Sequence, residues 1–270
     1  MPELPEVEVT RLALAPHLEG QTLTGAVVRQ GSLRSSVPAE LGTLLRGRVV
    51  LRLRRRGKYL MVDFATGQLL LHLGMSGSLR LLPQDLAPAI HDHVDILLAD
   101  GRCLRFRDPR RFGLILWNAE GATHPLLRDL GPEPLAPDFS GETLYRRSRG
   151  RQQAVKSFLM DAHTVVGVGN IYANESLFRA GIDPRRAAGR ISAARYEVLV
   201  TAIGEVLREA IAQGGTTLRD FLQPDGGNGY FRLSLQAYGR EGEPCTRCGR
   251  TLRGLRLGGR ATVFCPNCQR

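Results

Sequence analysis

"VLRLRRRGKYLMVDFATGQLLLHL" (50–73) carries three short apolar runs cut apart at Gly57 and Gly67. Its first run alternates, Leu51-Arg52-Leu53-Arg54, which is the period of a pleated strand with one face turned to a core. The pattern continues outward on both sides. From about residue 23 to about residue 117 the chain reads "TLTGAVV", "VVLRLRR", "KYLMVDF", "QLLLHL", "SLRLL", "HVDILLA", "RCLRFR" and "GLILW", punctuated by glycine, proline and aspartate. Strands this short and this regularly spaced predict an antiparallel sandwich or barrel. In 51–54 and again in 104–107 every second side chain is an arginine. That alternation predicts a core face backed by a positive outer face.

The flanks have a different period. Residues 4–19 place Leu4, Val7, Leu14 and Leu18 on one helical face, with Pro5 in a first turn, Pro16 near the end and Gly20 as a stop. "LGPEPLAPDFSGE" (130–142) holds three prolines and reads as an interdomain linker. Beyond it the period is helical to about residue 222, clearest in "ARYEVLVTAIGEVLREAIAQGG", and a glycine-rich stretch, "QPDGGNGYF", follows. The chain therefore predicts an α+β protein with an N-terminal antiparallel β-sandwich domain and flanking helices over 1–130. A linker over 131–142, a helical domain over 143–236 and a small module over 237–270 complete it.

At 270 residues the chain is long enough for two cores, and its formal net charge of +11 predicts a polyanionic partner, above all nucleic acid. No apolar run approaches the ~20 residues of a membrane helix, and the first residues lack the layout of a signal peptide, which predicts a cytoplasmic protein. Of the 37 basic residues only Lys58 and Lys156 are lysines. Lysine can lend a proton near neutral pH where arginine cannot, so these two stand out.

Cys103 lies alone in "RCLRFRD" and reads as a small buried thiol. The other four form Cys245-x2-Cys248 and Cys265-x2-Cys268, separated by sixteen residues. Two CxxC knuckles at this spacing offer four thiolates to one structural zinc ion, whereas disulfides suit a secreted chain.

Several loops carry candidate contacts. "VVGVGNIYANESLFRAG" sets Gly167 and Gly169 before Asn170, read as an N-cap, so bare amides open a helix where a phosphate binds well. "RFRDPRRFG" puts Arg110, Arg111 and Phe112 on a turn opened by Asp108-Pro109, a tip suited to entering a base stack. "HLGMSGS" is a second tip, with Met75 between glycine and serine. His91 and His93 in "HDH" share a strand face, and with no third ligand they read as hydrogen-bonding groups rather than a metal site.

Taken together, "PELPEVE", "HLGMSGSLR", "HDHVD", "DPRRFG", "VGVGNIYANESLFRAGI" and the four-cysteine hairpin with "GRAT" closely resemble the formamidopyrimidine-DNA glycosylase family, almost end to end. The resemblance implies a β-sandwich, a helix–two-turns–helix domain and a zinc hairpin. It also implies excision of oxidised purines from double-stranded DNA followed by strand cleavage, by a monomer associated with the nucleoid. Pro2, exposed once Met1 is removed, matches the family's nucleophile. Glu3 matches its acid/base residue, Glu6 the second glutamate of the motif, Lys58 the lysine of β-elimination and Arg260 the hairpin arginine. Asn170, His91, Arg110, Arg151 and Lys156 match DNA contacts, and Met75 and Phe112 match the wedges that replace a flipped base. The stretch from Thr217 to Tyr230 matches the loop that closes over that base. Two rival readings are an endonuclease VIII-like enzyme for oxidised pyrimidines and a zinc-dependent DNA-binding regulator without catalysis. The second gives no reason for Pro2-Glu3 or Lys58.

Overall fold

In the computed structural model, which describes residues 2–119, 123–215 and 235–270, each period-two run becomes a strand. These are β1 (Leu23–Val28), β2 (Arg52–Arg56), β3 (Tyr59–Asp63), β4 (Gln68–His72), β5 (Ser78–Pro83), β6 (Asp92–Leu98), β7 (Arg102–Arg107) and β8 (Leu114–Asn118). They pair antiparallel into two four-stranded sheets, β1-β6-β7-β5 and β2-β3-β4-β8. The turn from β2 to β3 spans only Gly57 and Lys58, because Arg56 pairs with Tyr59. So tight a turn needs a positive φ at its first position, and Gly57 supplies it at +56°.

Both sheets bury one face in a common core. Leu53, Leu60, Val62, Leu69, Leu71 and Ile115 come from one, and Leu23, Leu79, Val94, Ile96, Leu104 and Phe106 from the other. Helix α1 (Leu4–Leu18) adds Val7, Leu14 and Leu18 to it. Helix α2 (Leu41–Leu45) adds Leu41 and Leu45, and at five residues it is too short to announce a helical period in sequence. A one-turn helix α3 (Pro125–Arg128) ends this part of the chain. Among the described residues, those up to Arg128 form one unit with 213–215, and 129–212 form a second with 235–270.

The predicted positive outer face holds for β2, where Arg52 and Arg54 are exposed, and fails for β7. Arg105 is only 2% exposed. Its guanidinium meets Asp95 through Nε and Nη2, both at 2.8 Å, and donates to the carbonyls of Leu86 and Ala87 at 2.9 and 3.3 Å. The chain between β5 and β6 folds over the sheet and converts a nominally outer position into an interior one. Arg29 adds a second cation to Asp95.

In the second unit, α4 (Gly141–Ser148) begins where the Ser140 hydroxyl accepts from the Thr143 N–H. It is followed by α5 (Val155–Met160), α6 (Asn170–Arg179), α7 (Ala193–Ala212) and the hairpin β9 (Arg253–Leu257) and β10 (Arg260–Phe264). The proline-rich stretch read as a linker is packed against its own unit. Gly131 N donates to Ala162 O at 2.8 Å, Val166 N donates to Pro132 O at 3.1 Å, and Phe139 is buried. No helix among the described residues is long and apolar enough to cross a membrane.

The buried Asp95–Arg105 pair makes a stability prediction. Burial pushes the Asp95 carboxyl up, but Arg105 and Arg29 overcome it and hold the group below its ordinary value of 3.8. The unfolded chain then binds the proton more readily, so this contribution is present above about pH 4 and fades as pH falls through the folded value. Asp95→Ala strands a buried guanidinium, and urea unfolding at pH 7 is expected to show a loss of about 3–5 kcal/mol. A loss below about 1 kcal/mol contradicts the assignment.

Candidate functional site

The acidic residues that open this basic chain are organised by the start of α1. Glu3 takes the N-cap in an extended conformation, and its side chain accepts from the backbone of Glu6. Glu6 Oε2 in turn accepts from Glu3 N at 2.8 Å. This reciprocal capping box satisfies two amides that a helix start leaves orphaned. Pro2, Glu3 and Glu6 are all buried. Gly215 approaches so closely that an added Cβ would lie 3.2 Å from Glu6 Oε1.

Glu8 continues the cluster outward. Its Oε1 takes Arg11 at 2.6 Å and its Oε2 takes Arg55 Nε at 2.9 Å. Burial raises the Glu8 carboxyl, yet the two arginines hold it below its ordinary range. Arg55 then reaches Gly57 O at 3.0 Å with Nη1. One guanidinium thus ties α1 to the turn that carries Lys58. Next to that turn His72 packs its ring on Tyr59, with centroids 4.9 Å apart, and accepts from Gly74 N at 2.9 Å. Burial, with the charges of Lys58 and Arg34, brings His72 down to about 4, so the ring is neutral at pH 7.

The two predicted tips share one anchor. Asp108 is fully buried; its Oδ1 accepts from Ser76 Oγ at 2.7 Å and its Oδ2 from Gly113 N at 2.8 Å. Arg110 N adds contacts to Ser76 Oγ at 3.2 Å and to Asp108 Oδ1 at 3.3 Å. His93 Nε2 meets Asp108 O at 2.8 Å, so the "HDH" pair divides its work: His93 is buried under the turn and His91 stays half exposed with φ at +75°. Gly74 lets the tips close up, because a Cβ there would sit 2.4 Å from the Phe112 carbonyl carbon. Phe112 is 44% exposed with Arg110 stacked on its ring at 5.1 Å, and Met75 is half exposed. Arg111, at φ +55°, adopts a backbone that non-glycine residues avoid and that recurs where function demands it.

In the second unit the N-cap of α6 is Gly169, one residue before the expected Asn170, which is the first helical residue. Asn170 Oδ1 is buried without a hydrogen-bond partner among the described residues. Arg151 is exposed before α5, as a surface contact requires. Lys156 departs from the expectation of a DNA contact. It is 1% exposed, and its Nζ donates to Ala261 O at 2.7 Å and to Thr262 Oγ1 at 2.8 Å. A buried ammonium needs acceptors, and it finds them on β10. Asn174 does the same from α6, accepting from Val263 N at 2.9 Å. Arg260, exposed, opens β10 directly after Gly258 and Gly259, whose φ angles of +53° and +74° make the two-residue turn.

The hairpin is stapled by its cysteines. The ligand atoms of Cys245, Cys248, Cys265 and Cys268 lie within 4.8 Å of one another, the one such cluster of metal-binding side chains among the described residues. Cys245 to Cys268 is 4.0 Å and Cys248 to Cys265 is 3.5 Å. Sulfurs tetrahedral around zinc at about 2.3 Å stand roughly 3.8 Å apart, so the donor set fits one structural zinc ion, and all four thiols are free of disulfides. Glu175 anchors the entry to this module by accepting from the N–H groups of Gln236, Ala237 and Tyr238 at 2.8, 2.9 and 2.7 Å.

Asp108, Arg55 and Glu175 escaped the sequence reading. Asp108 alone left a signal, as an aspartate before proline at a turn. The expected base-closing stretch from Thr217 to Tyr230 lies wholly in 216–234, outside the described residues.

Comparison with known proteins follows the same layout. Residues 1–115 match the formamidopyrimidine-DNA glycosylase N-terminal domain, 130–222 the corresponding H2TH domain, and 242–270 the zinc finger found in FPG and IleRS. The chain is 66% identical over 270 residues to a formamidopyrimidine-DNA glycosylase of Acidithiobacillus ferrooxidans and 57% identical to one of Stenotrophomonas maltophilia, covering 100% of both chains in each case. The crystal structure of the MutM (FPG) protein of Thermus thermophilus superposes with a TM-score of 0.89 at 41% identity, covering 99% of this chain and 98% of that one. Lactococcus lactis FPG (MutM) in complex with a FAPY-dG containing DNA superposes with a TM-score of 0.90 at 32% identity, covering 99% of this chain and 100% of that one.

Two outcomes test the site's construction. Asp108→Ala strands several buried donors and is expected to cost about 3 kcal/mol in chemical unfolding while loosening both tips together, read as new amide exchange at Met75 and Phe112. Exchange confined to one tip contradicts a shared anchor. Cys248→Ser is expected to release zinc and unfold the hairpin that presents Arg260, because metal binding in such a module is folding free energy. A zinc-free variant with an intact β9–β10 hairpin by NMR contradicts this.

Proposed function

The chain belongs to the formamidopyrimidine-DNA glycosylase family, and from that premise we propose the part its own residues play. The enzyme is a DNA glycosylase and AP lyase of base excision repair that removes oxidised purines, 8-oxoguanine and formamidopyrimidines, from double-stranded DNA. The observation that carries the residue assignments is the capping box, which seats the residue after Met1 against two buried carboxylates.

Once Met1 is removed, the Pro2 nitrogen is a secondary amine. It attacks C1′ of the damaged nucleotide and the glycosidic bond breaks with its electron pair on the departing base. The nitrogen then gives up its proton and the C1′–O4′ bond opens with its pair on O4′, which takes a proton, leaving a permanently charged iminium. That charge acidifies the C2′ proton, so the 3′ and then the 5′ phosphate leave by β- and δ-elimination. Glu3 moves the proton at the sugar or the base. Glu6 holds Glu3 N and thereby the direction in which Pro2 points. Lys58, on a turn braced by Arg55, supplies a proton during elimination. Met75, Arg110 and Phe112 fill the stack from which the base has turned out, and unstacking is what makes the base reachable. Asn170, Arg151 and His91 hold phosphates, and Arg260 joins them from the zinc hairpin. Lys156 acts one layer behind, positioning β10 and Arg260. We also assign the enzyme to the cytoplasm, at the nucleoid, as a monomer.

Two amines compete for the first step. With values of ~8 for an α-amine and ~10.4 for lysine, roughly a tenth of the former and under a thousandth of the latter is neutral at pH 7. Pro2 therefore leads by about two orders of magnitude.

Borohydride reduction on an 8-oxoguanine duplex is expected to leave a covalent adduct at Pro2. An N-terminal extension that survives processing abolishes adduct and strand cleavage while binding remains. Lys58→Ala still forms the adduct, with slower elimination. An adduct mapped to Lys58, or full activity with the extension in place, overturns the assignment.

A further inference from the structure

Beyond the C-terminal end of α6, the second unit holds a cavity of about 500 Å³ that none of the roles above uses. Arg185, Arg186, Arg190 and Arg270 line it, with Asp183 as its one acid. Asp183 is already occupied, since Arg185 grips it with Nε at 2.9 Å and Nη2 at 2.6 Å while lying over the Phe264 ring at 4.6 Å. Arg195, just outside, donates Nη2 to Gly181 O at 2.8 Å, as a cation at a helix C-terminus should. The remaining three, Arg186, Arg190 and Arg270, make no ion pair and no side-chain hydrogen bond among the described residues.

Exposed arginines are often simply solvated, and two features separate these from that case. The first is that their backbones are pinned around the opening. Arg186 N donates to Asp183 O at 3.1 Å and Val155 N donates to Arg186 O at 2.8 Å. Arg270 N donates to Gly181 O at 3.0 Å and Asp183 N donates to Arg270 O at 3.3 Å. The second is mutual repulsion. Burial and the nearby charge of Arg186 hold even Arg195 below the ordinary guanidinium range. Cations kept close, with Asp183 the one acidic side chain among them and Arg185 already on it, have a standing cost that a bound anion removes.

Arginine forks match phosphate oxygens in pairs. The cavity also adjoins a residue assigned to DNA, because Gly189 N donates to Arg151 O and Ala188 N to Gln153 O, both at 2.9 Å. Asn170 opens α6 and the cavity's lining begins four residues past its last residue, so the two stand at opposite ends of a helix about 15 Å long.

We propose that this cavity takes phosphates of the nucleic-acid backbone and extends the DNA track of the second unit past Arg151 and Asn170. The proposal rests on the reading of that unit as DNA-binding. A free polyphosphate shares the same chemistry, and the experiment separates the two sources.

Affinities for undamaged duplexes of about 12 and about 30 base pairs are measured against salt concentration, for the parent and for an Arg186→Ala, Arg190→Ala double variant with zinc content and circular dichroism unchanged. In the parent, the slope of log K on log salt is expected to steepen by about two units from the short duplex to the long one. In the double variant the two slopes coincide. The corresponding double lysine variant restores the difference, since it keeps the charges. A double alanine variant that retains the parent's slope on the long duplex overturns the proposal and leaves the DNA-binding reading standing. A parent slope near zero on both duplexes removes that reading, and the proposal with it. If the alanine variant loses only calorimetric binding of inorganic tripolyphosphate, with both DNA slopes intact, the cavity belongs to free polyphosphate and the DNA assignment is wrong.

Discussion

The buried carboxylate of Asp108 is the constraint around which the working surface of the first unit is organised. Exposed tips of the kind we propose to enter a base stack cannot hold themselves by burying their own side chains, since those side chains must face outward. The order has to come from underneath. Asp108 supplies it by accepting from Ser76 in one loop and from Gly113 in the other, while His93 holds the Asp108 carbonyl from β6. Two loops distant in sequence thereby become one rigid object, which is what positioning a probe against DNA requires.

The amino terminus obeys the same logic with different groups. Glu3 and Glu6 satisfy each other's backbone amides, so the residue ahead of them inherits a fixed direction. Arg55 spans Glu8 and Gly57 O and sets the Lys58 turn relative to the helix. Although Arg52 and Arg54 are exposed, Glu8 and Arg55 are not solvated surface here. Each is consumed in holding two elements of the first unit at a defined distance.

In the second unit the polar groups work beside the small core of the zinc module, where Ala237, Leu252 and Val263 cluster with Phe178 of α6. Lys156, Asn174 and Glu175 reach from α5 and α6 to the backbone of β10 and of residues 236–238. Buried polar groups stabilise only when satisfied, and these are satisfied by β10 and by the chain that leads into the module. Zinc closes the far end. The hairpin is therefore clamped at its strand by side chains and at its knuckles by metal, leaving the two-glycine turn before Arg260 as its free edge.

What the sequence by itself determined is whatever depends on local periodicity and spacing. The period-two runs set eight strands, the i, i+3 spacing set α1 and α7, and two CxxC pairs set the zinc centre, because strand, helix and tetrahedral ligation each impose a repeat that can be counted. The motifs also singled out Pro2, Glu3, Lys58, Met75, Phe112 and Arg260 as the residues proposed to act on DNA. Tertiary structure alone decided which charges are surface and which are structure. Arg105 alternates like a surface residue yet is covered by the chain between β5 and β6. Lys156 stands out as a rare lysine yet spends its charge on β10. Asn170, read as a cap, yields that position to Gly169. Asp108, Arg55 and Glu175 gave little or no advance notice of their roles, since a buried polar group is defined by partners tens of residues away. Spacing along a chain records what the backbone repeats, and it carries no record of which distant donor a carboxylate will meet.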